Sequence, residues 1–97
     1  MIHHTVLFKF KPAVSQATKD TVVRELEALV HQIPEIDSIR VAKNFSERGK
    51  GFDLMLISTF LTKADLEVYG QHPKHLAVIA TYIKPNLDDI IVGDAEV

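Results

Sequence analysis

Residues 2–10 alternate: Ile2, His4, Val6, Phe8 and Phe10 fall on one face, and His3, Thr5, Leu7 and Lys9 on the other. Period two in β-favouring residues predicts a strand. His4 sits on the more apolar face, either as a core histidine with a satisfied hydrogen bond or as a group lining a ligand cavity. Pro12 ends the strand, and Ser15 is placed to cap a helix. Val22, Leu26, Leu29 and Ile33, with Val23 and Val30 beside them, recur on one helical face until Pro34 stops the run. Polar residues cover the other side, where Asp20 and Arg24 are spaced to pair.

Ile36 to Phe45 reads as a second strand, followed by a polar turn over residues 46–51. The glycines of that turn lack the Gly-Lys-Ser/Thr ending of a phosphate loop. Phe52 to Leu61 is a third strand with apolar residues on both faces: Phe52, Leu54, Leu56 and Phe60 on one, Met55, Ile57 and Leu61 on the other. Such a strand needs cover on both sides. Thr62 caps a short helix, with Asp65 placed for a capping box, and Gly70 marks its end. A further helix spans residues 74–83, packing through Leu76, Ile79, Ala80 and Ile83. After Pro85-Asn86, Leu87 to Val92 forms the last strand, ending near Gly93-Asp94.

The order β-α-β-β-α-β predicts a ferredoxin-like α+β fold with a four-stranded antiparallel sheet and its helices on one face. The other face should then be polar, yet it carries Leu7, Met55 and Ile57. Two sheets packed face to face, as a homodimeric α+β barrel, would account for them. With 97 residues the chain supports one domain, 1–97, since two cores of half that size would be too small to stand alone.

Composition narrows the function classes. There is no cysteine, which removes disulfides, thiolate nucleophiles and cysteine-ligated zinc. A net charge of −2 with scattered basic residues offers no stripe for nucleic acid or an anionic membrane. The opening Met1-Ile2-His3-His4 has no signal-peptide pattern, and no apolar run is long enough to span a bilayer, so a cytoplasmic location is expected.

Chemistry concentrates in Tyr69-Gly70-Gln71-His72-Pro73-Lys74-His75. If Tyr69 closes one helix and His75 opens the next, both can face the sheet and meet His4. A tyrosine donor and a histidine titrating near neutrality suit acid–base work on a carbonyl or enol: one group takes a proton while the other holds the developing oxyanion. The plainer alternative makes the histidines caps or surface groups and the tyrosine packing. As metal ligands, His3, His4, His72 and His75 are poorly spaced, because Pro73 interrupts the helical register; no metal is expected. Asp88, Asp89 and Asp94 read as well as turn residues as they do as ligands for a hard cation.

The residues His4-Thr5-Val6-Leu7-Phe8-Lys9-Phe10-Lys11, Ile33-Pro34-Glu35-Ile36, Gly51-Phe52-Asp53-Leu54, the Tyr69-x-x-His72-Pro73-x-His75 signature and Asp94 resemble the stress-responsive α/β-barrel domain (Dabb) family over the whole chain. The resemblance implies a ferredoxin-like subunit that dimerises through its sheets. It extends to olivetolic acid cyclase-like dimeric α+β barrel proteins, which include a plant polyketide cyclase catalysing an aldol condensation. That likeness implies His75 as general base and Tyr69 as the group orienting substrate, without a cofactor. His4 and His72 would be further pocket residues, together with Val6 and Phe8. Where the cyclase has aromatic residues on its first helix, this chain has Val22 and Leu26, so the apolar wall differs. Two functions are therefore carried forward: cofactor-free catalysis of the cyclase, isomerase or lyase kind on a carbonyl-bearing small molecule, and a non-catalytic, stress-responsive ligand-binding or structural dimer.

Overall fold

Alternation along residues 2–10 does produce a strand, and it becomes a central one. A computed structural model describes residues 1–97, with β1 at Ile2–Phe10, α1 at Gln16–Ala28, β2 at Ser38–Lys43, β3 at Leu54–Phe60, α2 at Lys63–Gln71, α3 at Pro73–Val78 and β4 at Leu87–Glu96. A 3₁₀ turn, Leu29–His31, extends α1, and a π-helical turn, Ile79–Ile83, extends α3. The four strands form one antiparallel sheet in the order β2-β3-β1-β4, the ferredoxin-like arrangement. No helix is long and apolar enough to cross a membrane.

Helix α1 forms where the sequence places it. The Ser15 hydroxyl accepts a hydrogen bond from the Thr18 N–H at 3.2 Å, satisfying one of the free donors of the first turn. Val22, Leu26, Leu29 and Ile33 are all buried, against the sheet face that carries Ile2, Val6, Phe8 and Phe10. Full burial of one such side chain contributes about 1.5–3 kcal/mol. The expected Asp20–Arg24 pair does not form: Gln16 donates to Asp20 and Arg24 donates to Thr21 instead. Lys19 reaches down to Asp53, at 2.7 Å, and ties α1 to the residue before β3.

Several boundaries differ from the sequence reading. Strand β2 is shorter than Ile36 to Phe45, because Asn44 turns away to hold the following loop, its side chain donating to the Phe52 carbonyl, and Phe45 is left exposed. Phe52 and Leu61 likewise fall outside β3. Between β2 and β3, Lys50 and Gly51 take consecutive positive φ values of 55° and 84°, the left-handed bend that reverses the chain. Thr62 caps α2 by accepting from the Asp65 N–H, but the reciprocal bond of a capping box is absent. In the second helical region Ile83 of the expected set is buried and Ile79 partly so, whereas Leu76 and Ala80 are exposed and Val78 is buried instead, with Tyr82 partly buried. The π turn adds a residue to the helical repeat and so rotates the apolar face.

Strand β4 runs well past Val92, to Glu96. Gly93 does not end it, since β1 offers pairing partners along the whole way: Val6 opposite Val92, Thr5 opposite Gly93, His4 opposite Asp94. On the sheet face away from the helices, Leu7 lies between Met55 and Ile91, and Thr5 between Ile57 and Gly93. Ile57 and Ile91 are 43% and 50% exposed there, so within one chain this apolar face has no cover.

Candidate functional site

The strand register decides which side chains meet beneath the helices. His4, Val6 and Phe8 project from β1 towards the helical layer; β3 sets Leu56 beside Val6, and β4 sets Val92 beside Val6 and Ile90 beside Phe8. Leu26 of α1, Tyr69 of α2, His75 of α3 and Ile79 of the π turn complete the walls of a cavity of about 170 Å³. A larger groove of about 380 Å³ follows the outer edge past Lys63, Leu66 and Asp94, but neither Tyr69 nor His75 lines it.

The corner between α2 and α3 is what turns Tyr69 and His75 towards each other. His72 is extended, with φ −66° and ψ 133°, and Pro73 follows as the first residue of α3, where its missing N–H costs nothing. The His72 Nδ1 accepts from the Lys74 N–H at 3.1 Å and so caps α3. One turn later the His75 Nδ1–H donates to the Gly70 carbonyl at 3.2 Å. Because a carbonyl can only accept, this bond places the proton on Nδ1 and leaves the lone pair of the neutral ring on Nε2.

Tyr69 is the centre of an aromatic cluster. Its ring lies 4.2 Å from that of His75, 5.1 Å from Phe60 and 6.0 Å from His4, measured between centroids. Burial pushes its phenol up to about 12, so it remains a donor at any physiological pH. Burial also holds His75 below the ordinary imidazole value. The bond to Gly70 opposes that shift, and the neighbouring His4 and His72 add to it. His75 is therefore a neutral base near pH 7, beside a protonated phenol. His4 donates from Nδ1 to Asp94 Oδ1 at 2.5 Å, which fixes its ring with the other nitrogen free.

Of the residues singled out in the sequence, the cavity brings together Tyr69, His75, His4, Val6, Phe8 and Leu26. His72 is not among its lining residues, since its ring is engaged in capping α3. Val22 is fully buried in the core and does not reach the cavity either. No group of three or more His, Asp or Glu side chains is arranged to hold a metal ion. His3, one residue along β1, faces the opposite side of the sheet from His4. The sequence reading missed Asp94 as the partner of His4, and Ile79, Ile90 and Val92 as walls. A signal existed: Ile90, Val92 and Asp94 share one parity, which an antiparallel partner of β1 would aim at the same face as His4.

Comparison with known proteins agrees with this architecture. The family model described as Stress responsive A/B Barrel Domain matches residues 2–97. A stress-response A/B barrel domain-containing protein of Arabidopsis thaliana is 30% identical over 96 residues; the match covers 97% of this chain and 36% of that protein, so the chain spans about a third of its relative's length. A solved Arabidopsis thaliana protein superposes with a TM-score of 0.91 at 26% identity, covering 100% of this chain and 95% of the other. The hydroxynitrile lyase of Passiflora edulis has a TM-score of 0.89 at 23% identity, over 99% and 92% of the two chains. A dimeric protein of unknown function with a ferredoxin-like fold, from Bacteroides fragilis, has a TM-score of 0.80 at 27% identity, over 99% and 95%.

Proposed function

The chain belongs to the stress-responsive A/B barrel domain (Dabb) family, and on that premise we propose that its cavity binds a small carbonyl- or hydroxyl-bearing molecule and moves a proton on it without a cofactor. The observation that carries this reading is the Tyr69–His75 pair: two rings 4.2 Å apart at one cavity wall, one held neutral with a free Nε2 and the other held protonated. His75 Nε2 takes a proton from the carbon next to the carbonyl, and the Tyr69 O–H donates to the oxygen as charge develops there. Returning the proton to another position isomerises the molecule; attack of the carbanion on a second carbonyl gives an aldol. Deprotonating a hydroxyl beside a nitrile instead leads to loss of cyanide, the direction suggested by the likeness to the Passiflora edulis lyase. His4, held by Asp94, stands as a second polar group on the ligand. His72 acts through the corner it caps.

The unit of function in this proposal is a homodimer of a single 1–97 domain, its two sheets meeting through Leu7, Met55, Ile57 and Ile91. The apolar outer face and the dimeric Bacteroides fragilis relative both support it. We place this dimer in the cytoplasm, with no nucleic-acid or membrane partner.

The test is exchange of the α-hydrogens of 2-butanone with D₂O, followed by NMR, with acetone cyanohydrin cleavage as a second assay. Wild-type protein should accelerate one of the two, and His75→Ala should lose that acceleration while remaining a folded dimer. Equal rates in the two proteins would overturn the catalytic reading. A second reading, a ligand-binding dimer without turnover, draws on the mostly apolar lining of the cavity; it predicts binding with no acceleration of either reaction.

A further inference from the structure

The cavity is graded along its length. Its lining along β1 runs from His4 through Val6 to Phe8, over which a strand advances by about 13 Å. At the His4 end stand Tyr69 and His75; in the middle Val6, Leu56 and Val92; at the far end Phe8 opposite Ile90. All three of its nitrogen- or hydroxyl-bearing side chains therefore lie at one end, and no lysine or arginine lines any part of it. A carboxylate or phosphate placed inside would lose its hydration with no cation to replace it, which is strongly unfavourable. Size adds a second restriction. An apolar protein cavity of about 150 Å³ holds benzene, so about 170 Å³ has room for a ligand of comparable size.

We propose that the site selects short, neutral, straight-chain carbonyl compounds, with the carbonyl at the Tyr69–His75 end and the alkyl tail running along β1 towards Ile90. This rests on the reading of the cavity as a ligand site and adds to it the class of molecule and the direction in which it lies. Ile90 becomes the residue that sets tail length. It lies on the edge strand and is 40% exposed, so the position tolerates exchange better than Leu26 or Phe8 does.

The experiment is an NMR titration of the protein with 2-alkanones from 2-butanone to 2-nonanone, and with sodium hexanoate. Affinity should rise by about fourfold per added methylene up to the ketone that fills the cavity, and then stop rising. Ile90→Ala should move that limit to a longer ketone and Ile90→Phe to a shorter one. Hexanoate should bind at least tenfold more weakly than 2-hexanone. A limit that stays put in both Ile90 variants, hexanoate binding as tightly as the ketone, or no ketone binding at all would each overturn the proposal. Because the readout is binding, the two claims separate. Ketones that bind with this pattern but are not turned over leave this inference standing and remove the catalytic one; turnover without dependence on chain length does the reverse.

Discussion

Tyr69 and His75 face one another with ring centroids 4.2 Å apart and planes inclined by 39°. They come from different helices, and the short corner between them is held by His72 and Pro73. One burial effect acts on both rings in opposite directions, raising the phenol and lowering the imidazole. At neutral pH the pair is thus a donor and an acceptor, poised without any ion to hold it so.

The acid limb of activity should fall below the ordinary histidine value. Loss of His75's base form requires the pH to drop through a value held under 6.5. A pH–rate profile from 4 to 8 (with proton NMR of the His75 ring alongside) checks this. An inflection above about 6.5 that moves with the His75 ring signals would contradict it.

Stability should respond to the same group. A histidine with a depressed folded value contributes stability that is present above about 6.5 and is lost as pH falls through the folded value, because the unfolded chain binds the proton first. Urea midpoints should therefore decline below about pH 6.5 in the wild type and decline less in His75→Gln.

Tyr69 makes the opposite prediction at high pH. Its folded value lies above its unfolded one, so its contribution is complete below about pH 10 and disappears as pH rises to about 12. The loss amounts to roughly 2–3 kcal/mol. Tyr69→Phe should be less sensitive to alkali over that range, as read from urea midpoints at pH 9 and pH 11.

Leu26 and Val22 lie one turn apart on α1, and both are buried, but only Leu26 borders the cavity. Leu26→Ala should cost about 2–5 kcal/mol of stability and also admit a longer ketone. Val22→Ala should destabilise without changing ligand preference. Thermal unfolding and the ketone titration, applied to both variants, separate packing from pocket shape.

On the outer sheet face a single charge should be enough to break association. Ile57→Lys places an ammonium among Leu7, Met55 and Ile91 while leaving the helix-side core untouched. Sedimentation at micromolar concentration should give a dimer for the wild type and a monomer for the variant. A variant that stays dimeric would move the interface elsewhere.

Patterns of period two and 3.6 carried the strands and α1, because each buries one face and that face is written in every second or every third to fourth residue. They also put His4 on the inner face, and it is found there. What they could not carry was pairing and local geometry. Asp94 becomes a neighbour of His4 only through the β1–β4 register, across ninety residues of chain. Gly93 looks like a stop in the linear sequence, but an edge strand accepts it. The π turn after α3 left no mark in the sequence, and neither did the exposure of Leu76 and Ala80 on this helical region. His72 belongs to the same motif as His75, yet its ring closes a helix end, a distinction that depends on backbone angles rather than on residue type.

The pairing of β1 with β4 also sets a timetable. During synthesis, His4 leaves the ribosome ninety residues ahead of Asp94, the residue that will orient its ring, and must also wait for Ile90 and Val92, which close the wall beside it. Until then β1 can pair only with β3, and its other edge is free to bind other chains. The cavity consequently cannot be completed until β4 has been made. Contacts of such long sequence separation slow folding, and a nascent chain halted before Ile90 would carry both Tyr69 and His75 with no enclosed site to hold a ligand.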